Sequence, residues 1–181
     1  IKKLSNYAES INSDIRFMGV PKTIDNDLTA TDHTPGYGSA AKYIASAMKE
    51  IIRDAKTYPT DSITVVEIMG RNAGWLTAAS ALSRAEDCTG PDLIYLPEVE
   101  FDYDKFLNKV MEIKKYQTTA VIAVSEGIKT ADGLYVSEAN KKSVYVDSFG
   151  HKQLGGTALY LADFLGEQTG IKSRGIVFST L

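Results

Sequence analysis

The chain is 181 residues long, carries a net charge of −3, and is 44% hydrophobic and 24% charged. That length suffices for one α/β core, and a balanced charge with no basic block argues against nucleic acid as a partner. No apolar run reaches membrane-spanning length, no signal peptide is recognisable, and the single cysteine, Cys88, permits no internal disulfide and points to a reducing, cytoplasmic setting.

Apolar strands alternate with helical patterns along the whole chain. Residues 15–20 read as a strand followed by a polar loop. Thr34 and Pro35 suit a helix start. Tyr37, Ala40, Ala41, Ile44, Met48, Ile51, Ile52 and Ala55 then keep helical spacing. Residues 62–69, rich in Ile and Val, read as a buried strand, turned by Gly70 into an Ala-rich helix over 73–85. Residues 93–96 form a strand stopped by Pro97. Asp102 is placed to cap a helix whose apolar face is Tyr103, Phe106, Leu107, Val110 and Met111. Residues 120–124 form a strand, and 129–142 a polar loop with a short helix. Gly155 and Gly156 precede a helix over 157–165, and 175–178 is a last strand. This alternation predicts a three-layer α/β/α fold with a mostly parallel sheet. Cys88 has no nearby His or second Cys and reads as a bystander thiol.

The chemistry gathers where strands end. Asp25, Arg71, Pro97-Glu98 and Glu126 each follow the carboxyl end of a strand, the edge along which open α/β sheets bind ligands. Around residue 25, the run Gly19-Val20-Pro21-Lys22-Thr23-Ile24-Asp25-Asn26-Asp27-Leu28 sets two carboxylates beside a hydroxyl and a lysine. One carboxylate can take a proton from an attacking alcohol. The second can support it or orient a metal. Lysine can neutralise a phosphate in flight. Thr, Asp and Asn also build turns and caps through their own backbone, and that reading stays open for Asp27. His33 reads as a loop residue.

Four strings resemble those of the phosphofructokinase family, in its order and near its spacing. They are Pro21 to Leu28, Glu67-Ile68-Met69-Gly70-Arg71-Asn72-Ala73-Gly74, Tyr95-Leu96-Pro97-Glu98-Val99, and Val124-Ser125-Glu126-Gly127. The resemblance covers about residues 17–156. It implies Asp25 as general base toward the 1-hydroxyl of fructose 6-phosphate. Thr23 and Ile24 would contact the substrates, and Asp27 would support Asp25 or the water shell of Mg²⁺. Met69, Gly70, Arg71 and Glu126 would bind the sugar, and His151 and Gln153 its phosphate. Glu98 is as well explained by a structural role.

Three positions depart from the family pattern. Leu154, Ser62 and Tyr145 stand where arginines are common, with Lys141, Lys142 and Lys152 as possible compensation. Lys22 is common in pyrophosphate users, where ATP users commonly carry glycine. Pyrophosphate is therefore the expected donor, with ATP the runner-up. A non-catalytic sugar-phosphate-binding regulatory domain is a third reading. The resemblance also implies a homo-oligomer and a cytoplasmic glycolytic enzyme. It divides the chain into 1–33 (part of a donor-side domain), 34–150 (the sugar-phosphate domain) and 151–181 (a return segment to the donor side). The opening on Ile1 and the closing strand-like run suggest a piece of a longer protein.

Overall fold

The computed structural model describes residues 1–139 and 156–178, and the backbone alone of 145–146 and 152–153. In chain order the elements begin with α1 (Lys2–Ser10), α2 (Tyr37–Thr57) and β1 (Ser62–Ile68). Then come α3 (Trp75–Ala79), running into a 3-10 turn (Ser80–Ser83), and β2 (Leu93–Tyr95). Next are α4 (Tyr103–Lys114), β3 (Thr119–Ser125) and a second 3-10 turn (Val136–Ala139). β4 (Tyr145–Val146), β5 (Lys152–Gln153), α5 (Thr157–Thr169) and β6 (Lys172–Val177) complete the chain.

β2, β3, β1 and β6 lie side by side in that order, all parallel. β4 and β5 form a separate antiparallel pair. The central strands are buried on both faces, which explains their near-continuous apolar sequence. Their side chains still alternate. Ile63, Val65, Ala120, Ile122 and Val124 pack with Phe106 and Val110 of α4 and with Leu161 and Leu165 of α5. Val66, Ile68, Val121 and Ala123 face Ile44, Met48 and Ile52 of α2 and Leu76 of α3. Two helical layers therefore sandwich one parallel sheet, as the sequence predicts.

Local signals account for the helix ends. Asp102 accepts a hydrogen bond from the Lys105 N–H at 2.9 Å and caps α4. Gly170, with φ 68°, takes the left-handed turn that ends α5. Cys88 is buried in the α2-side core.

Three expectations need correction. Residues 15–20 form no strand: Ile15, Met18 and Val20 are 66%, 90% and 84% exposed. An apolar run becomes a strand only beside a ladder partner, and no described strand pairs with it. The helix expected over 73–85 is shorter. Ser80 and Ser83 hydroxyls bond back to the carbonyls of Thr77 and Ser80, at 2.5 and 2.7 Å, and the helix tightens into a 3-10 turn. Finally, α5 and β6 do not leave the central layer. β6 pairs with β1 from Ser62↔Lys172 to Glu67↔Val177, so it extends the same sheet. Gly175 makes this possible: a Cβ there would sit 2.8 Å from the backbone of Ala158, so only glycine lets α5 lie this close.

Candidate active site

Because every strand in the main sheet is parallel, all four carboxyl ends share one edge. β1 delivers Met69, Gly70 and Arg71 there, β3 delivers Glu126, and β2 delivers Pro97 and Glu98. Ser62 stands at the opposite end of β1. A seven-residue strand spans roughly 20 Å, so a side chain at 62 cannot serve this chain's own edge.

The loop carrying Asp25 is held from within. Thr23 Oγ1 accepts from the Asp25 N–H at 3.1 Å. Asn26 sits in the left-handed region at φ 58°. Its Oδ1 accepts from the Thr34 N–H at 2.9 Å, and its Nδ2 donates to the Asp32 carbonyl at 3.3 Å. Ile24 packs on the α2-side core, next to Met69. These contacts press the loop against the start of α2 and enclose a cleft of ≈580 Å³. Lys22, Thr23, Ile24, Asp25 and Met69 line it, joined by Ser39 and Tyr43 of α2. In the sequence Asn26 is one more turn-forming residue of the string. Its role becomes visible when the loop closes onto Thr34.

Asp25 is half-buried, and its Oδ1 is buried without a hydrogen-bond partner among the described residues. Such an atom calls for an explanation, and a carboxylate oxygen in this position is able to accept a proton from a bound group. Burial raises the Asp25 pKa above that of an ordinary aspartate, and Asp27 pushes it the same way. Lys22 and Arg71 pull it back. The sequence-selected groups therefore share one electrostatic neighbourhood. Lys22 and Asp27 are exposed at its rim, while Arg71 is partly buried.

Glu126 is the second carboxylate of this edge. Its Oε1 accepts from the Gly70 N–H at 3.4 Å, and its own N–H donates to the Ile68 carbonyl at 3.0 Å. Burial raises its pKa, opposed by the Gly70 hydrogen bond and by Arg71, and reinforced by Glu67 and Asp25. Gly127 is obligatory here, because a Cβ would run into the Arg71 carbonyl. Glu98 does something different. Its Oε1 accepts from the Gly74 N–H at 2.7 Å and pins the start of α3, the structural role the sequence left open.

His151, Leu154, Lys141 and Lys142 lie outside the described residues. For Gln153, Lys152 and Tyr145 only the backbone is described, where Tyr145 pairs with Gln153. Among the described residues no three His, Cys, Asp or Glu side chains gather to hold a metal ion. Asp25 offers carboxylate oxygens at the cleft, and the exposed Asp27 lies close enough to act on it electrostatically. That fits Mg²⁺, which usually keeps several waters and takes one or two protein carboxylates plus phosphate oxygens. Among the described residues, no helix is long and apolar enough to cross a membrane.

Known proteins resemble this chain over nearly its whole length. A family profile described as "Phosphofructokinase" matches residues 1–177. A pyrophosphate–fructose 6-phosphate 1-phosphotransferase of Xanthomonas campestris pv. campestris is 42% identical over 172 residues, which is 94% of this chain and 40% of that protein. A sulfofructose kinase of Alkalicoccus urumqiensis is 33% identical over 94% of this chain and 43% of its own length. The crystal structure of a pyrophosphate-dependent phosphofructokinase from Nitrosospira multiformis superposes with a TM-score of 0.74 at 34% identity, covering 97% of this chain and 40% of that one. The chain thus spans about 40% of the length of the curated relatives it matches. With the profile matched over nearly its whole length and the motifs converging on one sheet edge, this chain belongs to the phosphofructokinase family.

Proposed function

We propose that this chain carries the acceptor half of a pyrophosphate-dependent 6-phosphofructokinase, which transfers a phosphoryl group to the 1-hydroxyl of fructose 6-phosphate. The observation that carries the reading is the buried Oδ1 of Asp25, without a hydrogen-bond partner among the described residues, in a cleft that also holds Thr23 and Lys22. In this reading Asp25 accepts the proton of the sugar hydroxyl as its oxygen bonds to phosphorus. The bridging P–O bond of the donor breaks, and the leaving phosphate keeps the electron pair. Thr23 orients the transferring group. Lys22 sets positive charge against the donor phosphates, as a compact ammonium suits pyrophosphate.

Gly70, Arg71 and Glu126 hold the sugar, with Met69 as an apolar wall, and His151 and Gln153 contact its phosphate. Mg²⁺, with Asp27 beside it, supplies charge neutralisation on the phosphates when bound. The whole protein is a homo-oligomer in the cytoplasm, and residues 1–33 belong to its donor side. Relatives named for pyrophosphate at 39–43% identity support that donor over ATP. A purely regulatory sugar-phosphate domain has no use for a base at position 25.

The test is turnover by the full-length protein with fructose 6-phosphate and either donor. Product with pyrophosphate and little with ATP is expected. The reverse would assign the protein to the ATP users, and no turnover with either would leave the regulatory reading. The 181-residue chain alone is expected to be inactive.

A further inference from the structure

Glu67 is a buried carboxylate that the chemistry above does not use. It ends the row Ile63, Val65, Glu67 on the α5 face of β1, where its neighbours are apolar, and it is 2% exposed. A charged group at such depth is costly unless it is well bonded. The bonds come from the first turn of α5. Its Oε2 accepts from the Ala158 N–H at 3.0 Å, and the N–H groups of Gly156 and Thr157 are also directed at it. These belong to the free N–H groups with which a helix start attracts an anion. A phosphate would suit such a site, but here the chain supplies its own carboxylate.

From that turn the contacts lead to the sugar-binding edge. Thr157 Oγ1 donates to the Glu126 carbonyl at 3.3 Å. The Glu126 carboxylate accepts from Gly70, and Ser125 Oγ donates to the Gly70 carbonyl. Glu67 thus sits at the root of a chain of hydrogen bonds that fixes α5, Glu126 and Gly70 relative to one another. Gly175 allows it, by letting the backbone of Ala158 approach β6.

We infer that Glu67 is a positioning residue for sugar-phosphate binding. By capping α5 internally it sets the placement of Glu126 and Gly70, and it takes up the N-terminal charge of α5 so that this helix start is not the phosphate site. The inference rests on the function proposed above and deepens it.

The test uses the full-length protein with Glu67→Gln, Thr157→Val and the double variant. Glu67→Gln keeps the shape but removes the charge and one acceptor oxygen. It should speed hydrogen exchange at the amides of 157 and 158. It should raise the KM for fructose 6-phosphate by about tenfold and leave kcat within about threefold, because the residue touches no reacting atom. Thr157→Val should raise KM in the same direction, and the double variant should fall well short of the product of the two effects. Loosened α5 amides with an unchanged KM would reduce Glu67 to a purely structural residue and overturn the inference. So would unchanged amide exchange in Glu67→Gln. A wild-type protein that binds no fructose 6-phosphate by calorimetry would instead overturn the functional reading, and this deepening with it.

Discussion

Asn26 Oδ1 accepts a hydrogen bond from the backbone N–H of Thr34, eight positions further along the chain, at 2.9 Å. That bond, with the one from Asn26 Nδ2 to the Asp32 carbonyl, ties the segment carrying Asp25 to the entrance of α2. Replacing Asn26 by Gly keeps the left-handed backbone and removes only the side chain. Each lost bond is worth about 1 kcal/mol. The expected outcome in the full-length protein is a loss of about tenfold in kcat, with the KM for the sugar changed less than threefold. Steady-state kinetics of Asn26→Gly check this. An unchanged kcat would mean the loop is held by other contacts.

The pH dependence follows from Asp25. Burial, then the neighbouring Asp27, raise its pKa above 3.8. With Asp25 as the proposed base, which must be ionised to act, activity is expected to fall as pH drops through that raised value, placing the acid limb of kcat/KM above the range of an ordinary aspartate. Asp27→Asn removes a negative neighbour and should move the limb to lower pH. A pH–rate profile of the two proteins reads the shift, and an unmoved limb would contradict the electrostatic link.

Stability should run the opposite way to activity across the same range. Asp25, Glu67 and Glu126 all have raised pKa values in the folded chain, so the folded state binds protons more tightly than the unfolded one. Their contribution is fully present below the unfolded values, 3.8 for Asp25 and 4.5 for the glutamates, and is lost as pH rises through the folded values. Glu126→Gln should flatten this decline, measured as denaturant midpoints across the acid range. A variant with the wild-type slope would show that Glu126 does not titrate with folding.

In the proposed function Lys22 is the residue expected to separate the two donors. It is exposed at the cleft that holds Asp25. Lys22→Gly should cut the pyrophosphate reaction by about tenfold or more and leave sugar affinity unchanged, as expected for a lost charge on a compact anion. Kinetics with both donors check it. A loss confined to the sugar KM would move Lys22 to the acceptor.

The layered fold was legible because β1 and β3 are apolar on both faces and α2 keeps a strict apolar stripe. Convergence at one edge followed from the parallel order, and the Asp102 cap was readable from a single residue. Residues 15–20 misled because apolar content alone says nothing of a pairing partner. β6 is legible as a strand, but its place beside β1 is not, since register and neighbour choice depend on contacts far apart in sequence, here the approach of Gly175 to Ala158. Glu67 could have been flagged: a lone carboxylate in a run of Ile and Val must be bonded by something. Which group bonds it is a tertiary fact.

The most direct test is the turnover of Asp25→Asn in the full-length protein with fructose 6-phosphate and pyrophosphate. The substitution keeps size and removes the proton acceptor. The expected result is a kcat lower by about two to four orders of magnitude, the usual worth of a positioned general base, with sugar binding nearly unchanged. Near-normal turnover by Asp25→Asn would remove Asp25 from the chemistry and contradict the account at its centre.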